Sequence, residues 1–291
     1  MLDVFTTDAL VDGVHFDRRF VPPDALGHRA LAVNLSDLAA MGAEPRAALL
    51  SLALPPTLEV REVDGLLDGL LALGAAHHVT VIGGNVTRTP GPLTIDVTAV
   101  GCIRPRRVMT RDGARPGDDV YVTGALGGAA IGLQVASRQA ESGESTEWSV
   151  ARERYLRPQP RVRAGTILGR TRAASSCMDL SDGLADGVRQ VAEASGVGIT
   201  LDAAALPLDE GVREWHATEG GDPIETALIG GDDYELLFTV RPAHRGRFRG
   251  ARRHFSSLPV TRIGVVTKER ATVVRDDAGS RPLPEGYEHF R

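Results

Sequence analysis

The first hundred residues alternate between two apolar periodicities, and this alternation narrows the available folds more than any other feature. VFTTDAL reads as a short strand ending in polar residues. DALGHRALAVNLSDLAAMGA carries apolar residues at helical spacing, with Asp24 expected as its N-cap and Gly42 as its stop. AALLSLALP is a strand-like run closed by Pro55-Pro56, and LEVREVDGLLDGLLALGAAHH is a second amphipathic helix. VTVIGG and LTIDVTAVGCI are strands. The order strand, helix, strand, helix, strand, strand predicts an α+β layer with its helices on one sheet face.

RDGARPGDD, from Arg111 to Asp119, is a run of turn residues that marks a domain boundary, giving expected domains 1–113 and 114–291. VYVTGALGGAAIGL opens the second, α/β unit, and the polar ASRQAESGESTEW is expected as a surface loop. A helix near 160–170, a strand into Asp179, a helix from Asp182 to Ser195 and a strand at VGITLD follow. A helical segment then precedes IGGDDYELLFTV, and LPVTRIGVVT and ATVVRD close the sheet. NLSDLA in the first half echoes DLSDGLA in the second, a match too short to imply duplication.

Composition excludes several function classes. A net charge of −5 without a basic block argues against nucleic acid as the ligand. No apolar run reaches the roughly 18 residues of a membrane span, and MLDVFTTDAL lacks signal-peptide character. Cys102 and Cys177 match no metal or redox spacing and are expected as buried packing residues, consistent with a cytoplasmic protein. Lys268 is the only lysine, so a GxxxxGK[ST] phosphate loop is ruled out. No Ser/His/Asp set has nucleophile-elbow context.

What remains is acidic. Asp8 in TTD, Asp37 in NLSD, Asp179 and Asp182 in DLSD, and Asp232 and Asp233 in GGDDYE stand at strand ends or polar helix faces, each beside hydroxylated or small residues. Asn85 in GGNVTR adds a neutral oxygen. Oxygen-only donors suit hard divalent cations, and Mg²⁺ combines a few carboxylates with phosphates and water. The pattern predicts Mg²⁺–nucleotide binding by aspartates, with metal in place of a phosphate-loop lysine. Each acid taken alone has a plainer reading: Asp182 as a helix N-cap, Asp37 on a solvated helix face, Asp232 and Asp233 in a turn. His15 reads equally as a ligand contact or a packing histidine. His77 and His78 read as structural, and GALGGAA as a glycine loop for phosphate or as a tight helix-start turn.

In order, TTDALVDGVHF, NLSDLAAMGAEP, VIGGNVTR, RDGARPGDDVYVTG, YLRPQPR, MDLSDGLADGV and GGDDYELLF resemble the thiamine-monophosphate kinase family, of the aminoimidazole ribonucleotide synthetase superfamily, over nearly the whole chain. The resemblance implies a ferredoxin-like N-terminal half, an α/β C-terminal half and a homodimer whose N-terminal sheets pair. It implies ATP-dependent phosphorylation of thiamine monophosphate to thiamine diphosphate, with several Mg²⁺ ions. Carried over by motif, Thr6, Thr7, Asp8, Asp37, Asn85, Asp179 and Asp182 would bind metal. Gly84, Asn85, Arg111 and Ser181 would lie at ATP, and His15, Asp232 and Tyr287 at the thiamine phosphate.

Three positions depart from the family pattern: Asn85 stands for Asp, Asp232 for Glu and Tyr287 for Trp. A Gly-Asp-Asp segment is also expected upstream of TTD, and the sequence starts five residues before Thr6. Two other readings fit the same acids: a non-catalytic nucleotide-binding dimer, and a superfamily relative that activates an amide oxygen.

Overall fold

Strand β1 (Leu2–Val11) is ten residues long, longer than expected, because its register with β4 (Thr94–Ile103) holds from Leu2↔Ile103 to Val11↔Thr94. Its exposure alternates, with Thr6, Asp8 and Leu10 on the covered face and Phe5, Thr7 and Ala9 on the open one. The computed structural model describes residues 1–142 and 149–286. With β2 (Glu44–Leu54) and β3 (Thr80–Arg88), these strands form a four-stranded sheet ordered β1-β4-β2-β3. Helices α1 (Pro23–Met41) and α2 (Val60–Ala76) cover one face and leave β1 and β3 as open edges.

Helix α1 buries fourteen of its nineteen residues, so it is enclosed on all sides rather than lying on a surface. It packs on α2 and the first sheet, and also on α5 (Val162–Thr171) and β6 (Ser176–Asp179) of the second unit. Asp24 is not its N-cap. Pro22 holds that position, Pro23 starts the helix, and Asp24 sits in the first turn, where it pairs with Arg157 at 2.5 Å. Gly42 does end the helix, in the left-handed region at φ 75°.

The second unit is a seven-stranded mixed sheet ordered β11-β10-β7-β9-β5-β8-β6. Its strands are β5 (Asp119–Thr123), β6, β7 (Gly198–Asp202), β8 (Leu236–Val240), β9 (Val260–Thr267), β10 (Thr272–Asp276) and β11 (Gly279–Pro282). Every residue of β8 is buried, because helices cover both faces. Leu237 packs toward α6 (Leu184–Ser195), while Leu236 and Phe238 pack toward α5 and α9 (Arg245–Arg252).

Residues 136–142 of the expected loop belong to α3 (Gly128–Ser142), whose Val135 and Ala136 are buried; 143–148 lie outside the described residues. Helix α4 (Ser149–Leu156), α9 and β11 carried no clear sequence signal, and the segment before GGDDYE is two helices, α7 (Glu210–Glu219) and α8 (Pro223–Ile229). Cys102 and Cys177 are buried and unpaired, as expected.

The contact between α1 and α2 is close enough to be tested. A Cβ added at Gly69 would collide with the carbonyl of Asp24 on α1. Helix propensity alone favours Gly69→Ala by about 1 kcal/mol. Overpacking against a fixed backbone costs about 1–3 kcal/mol. Urea unfolding of Gly69→Ala should therefore show net destabilisation, whereas a stabilised variant would mean that the two helices can separate.

Candidate active site

The acid positions converge where α1, β1 and the end of β6 meet. The Thr6 hydroxyl donates to Asp37 Oδ2, tying β1 to α1. The buried Ser36 hydroxyl donates to Asp179 Oδ2 at 2.6 Å, tying α1 to β6. Asp8 shares the covered face of β1 with Thr6 because strand side chains alternate. Thr6, Asp37 and Asp179 border a cleft of about 240 Å³ that Thr110, Arg111 and Met178 also line.

The site's electrostatics follow from crowding acids away from water. Burial, and then Asp37, Asp96 and Asp182, push Asp8 up to about 6. Burial and Asp37 push Asp179 up to about 7, against the Ser36 hydrogen bond that favours its anion. Asp37 is also raised, chiefly by burial, with Thr6 and Arg111 pulling the other way. Each carboxylate binds a proton more tightly than usual because its charge lacks compensation. Only oxygen donors face the cleft from these residues, which fits a hard divalent cation. Among the described residues no group of three or more His, Cys, Asp or Glu closes around a single point. An ion here would complete its coordination with water or ligand oxygens, as Mg²⁺ does.

A second loop packs against the end of β6. The N–H of Asp232 donates to Ser181 O at 2.7 Å, and that of Tyr234 donates to Leu180 O at 2.9 Å. Gly231 is required because an added Cβ would meet Ser181 O at 2.7 Å. Its small size therefore serves loop-to-loop contact. Asp182 precedes the N-cap of α6, which is Gly183; its carboxylate accepts from the Ser181 hydroxyl at 2.8 Å.

Other site candidates lie elsewhere. The Thr7 hydroxyl points to the open sheet face, toward Thr98 at 3.0 Å and Asp96 at 3.3 Å. Asn85 lies on β3, the far edge strand, opposite Ser51 of β2 and three strand spacings or about 14 Å from β1. Gly84 lies beside it, opposite Leu50. Within one chain neither reaches the aspartate cleft. His15 lies in the turn after β1, where Nδ1 accepts from the Val11 N–H at 3.1 Å, leaving Nε2 to carry the ring proton. Arg111 donates to Gln190 at 2.7 Å and acts on Asp37 by charge. Tyr287 lies outside the described residues.

GALGGAA is a tight turn into α3, and its anion comes from within the chain. Asp233 accepts from the N–H of Gly127 at 2.7 Å and of Ala129 at 3.3 Å, while burial pushes it up to about 7. Sequence reading missed the buried ions that shape the second loop. Glu235 takes a two-pronged contact from Arg161 and the Thr123 hydroxyl at 2.6 Å. Arg29, on α1, pairs with Asp232 at 2.6 Å. The only signal for Arg29 was a cation among apolar helix positions.

Comparison with known proteins shows the family and the fold. Residues 2–103 match the AIR synthase related protein N-terminal domain, and residues 115–277 its C-terminal domain. Thiamine-monophosphate kinase of Salmonella typhimurium is 40% identical over 289 residues, 98% of this chain and 86% of the relative. The chain belongs to the thiamine-monophosphate kinase family. The family enzyme of Bacillus subtilis is 33% identical over 295 residues, covering 99% of this chain and 88% of the relative. The structure of AaThiL complexed with AMPPCP and TMP superposes with a TM-score of 0.87 at 35% identity, covering 99% of this chain and 87% of that one. Hydrogenase maturation protein HypE in complex with ATP, at 20% identity and a TM-score of 0.81, shares the fold.

The raised carboxylates set the sign of the pH dependence. Asp8, Asp179 and Asp233 hold protons up to about 6 or 7 when folded, against a reference of 3.8. Between those limits the folded chain binds more protons than the unfolded one, so stability falls as pH rises. In chelator, the melting temperature should be higher at about pH 5.5 than at about pH 7.5. Mg²⁺ at pH 7.5 should raise it by mass action, and Asp179→Asn should abolish most of that rise. An equal Mg²⁺ response in Asp179→Asn would move the metal site away from this cleft.

Proposed function

We infer that this chain transfers the γ-phosphoryl group of ATP to the phosphate of thiamine monophosphate, giving thiamine diphosphate and ADP. The observation that carries the reading is the convergence of Asp37 and Asp179 on one cleft, with Asp8 close enough for its charge to act on Asp179. It occurs in a chain aligned over nearly its whole length with thiamine-monophosphate kinases.

In the transfer, an oxygen of the acceptor phosphate forms the new P–O bond as the bond from the γ-phosphorus to the bridging oxygen breaks. The acceptor is already ionised, so no enzyme base is needed, and positioning dominates. Mg²⁺ held by Asp8, Asp37, Asp179 and Asp182 would neutralise phosphate charge and orient the triphosphate. Thr6 and Ser36 fix the rotamers of Asp37 and Asp179 through hydrogen bonds to their carboxylates. Arg111, on the cleft wall, would meet the phosphates, and Ser181 the nucleotide. His15, Asp232 and Tyr287 are assigned to the thiamine phosphate.

The active species is assigned as a cytoplasmic homodimer. The first sheet leaves one face and two edges open, with Phe5 68%, Ile82 64% and Val86 67% exposed. Pairing the β3 edge of one copy with the β1 edge of another would close both edges. It would also bring Asn85 of the partner subunit toward Asp8, which explains why Asn85 lies so far from the cleft within one chain.

Purified protein with Mg²⁺, ATP and thiamine monophosphate should release ADP and form thiamine diphosphate. Asp179→Asn should lower kcat by about a hundredfold or more, the scale of losing a charge-stabilising group. No turnover above an acceptor-free control would reject the reading. Phe5→Glu should shift the protein toward monomer in light scattering after size exclusion. An unchanged mass would place the interface elsewhere.

A further inference from the structure

Arg29 stands apart from every other ion-paired arginine in the described chain. Its side chain is 3% exposed, the least of any arginine in an ion pair. It lies on α1, in the first unit, yet both of its hydrogen-bonded contacts belong to the second. Nη2 meets Asp232 Oδ2 at 2.6 Å, and Nη1 donates to the carbonyl of Tyr155 at 2.6 Å. The guanidinium also stacks over the Tyr155 ring, 4.6 Å from its centroid. A buried cation needs such compensation, and only a planar, forked group can meet a carboxylate and a carbonyl at once.

The segment it holds is strained. Asp232 and Tyr234 adopt φ +68° and +49°, a region that non-glycine residues avoid. The Tyr234 hydroxyl donates to Asp232 Oδ1 at 3.1 Å, so Arg29 and Tyr234 each take one oxygen of the same carboxylate. Asp232 nevertheless stays 31% exposed, so one side of the carboxylate remains open to a ligand. Arg29 and Ser36 are seven residues apart on one helical face. One rigid element thus sets both the Asp232 loop, through Arg29, and the Asp179 carboxylate, through Ser36.

We propose that Arg29 is a positioning residue for substrate recognition: from α1 it locks the Asp232 loop in its strained conformation and fixes the Asp232 carboxylate for the phosphate acceptor, without itself touching either substrate. Because Arg29 already balances its charge, Asp232 serves the acceptor as a hydrogen-bond acceptor for an N–H or O–H group, not as a counter-ion. The inference rests on the assignment of Asp232 to the acceptor site, and one arm of its test does not.

The first arm is hydrogen exchange in the full chain without substrates. Arg29→Lys keeps the charge but cannot span both partners. The amides of Asp232 and Tyr234 should exchange about tenfold faster or more, with the α1 amides unchanged. The second arm is kinetic. Arg29→Lys and Arg29→Gln should raise KM for thiamine monophosphate about tenfold, with KM for ATP and kcat within about twofold. Combined with Asp232→Asn, Arg29→Gln should add little further loss, because the two act through one contact.

Equal losses for ATP and acceptor, losses that multiply in the double variant, or unchanged exchange at Asp232 and Tyr234 would each overturn the proposal. If wild-type protein turns over no thiamine monophosphate, the kinase reading fails while the exchange arm still decides the role of Arg29. If Arg29→Gln does not fold, Arg29→Lys alone carries both arms.

Discussion

Everything at the candidate active site depends on the double-sided burial of α1. A helix on a sheet normally keeps one face in water, and this one cannot. Its leucines and alanines fill the core beneath the first sheet, while Ala39 and Ala40 join the apolar cluster of the second unit. The same helix offers Arg29, Ser36 and Asp37 at that junction, so packing that excludes water also fixes polar groups. Rotating α1 would break the apolar contacts and the hydrogen bonds together, which makes the junction stiff.

The carboxylates divide by whether the chain supplies their counter-charge. Asp119 receives Arg245 at 2.6 Å and Arg262 at 2.7 Å, and these contacts outweigh burial and hold it below the ordinary carboxylate range. Glu235 takes Arg161, and Asp232 takes Arg29. Among the described residues Asp8 and Asp179 form no ion pair, and their affinity for protons rises instead. A chain that readily pairs buried acids with arginine leaves these two for something outside itself. On the proposed function, a cation and its phosphate ligand would provide what no side chain does there.

Much of the architecture could be read in the sequence because it rests on periodicity. The helical spacing from Ala25 to Met41, the stop at Gly42 and the alternation in LTIDVTAVGCI are local, and the structure keeps them. The errors have physical causes. Residues 136–142 look like loop because their helix faces water over much of its surface. Asp24 looks like an N-cap until Pro22 and Pro23 take the preceding positions. Asp233 looks like a site acid, and it caps α3 instead. The last depends on partners distant in sequence, Gly127 and Ala129.

The sequence by itself determined the two-unit α+β and α/β plan, the exclusion of a lysine phosphate loop, and the identities of the acids, since these follow from local pattern and residue chemistry. Only the tertiary structure decided which acids share a cleft. Thr6 and Thr7 are neighbours in the chain, yet strand alternation sends one to Asp37 and the other to the open face. Ser36 and Asp179, 143 residues apart, meet because a helix from one unit is buried in the other. Proximity of that kind is set by packing of distant segments, and no local stretch of residues encodes it.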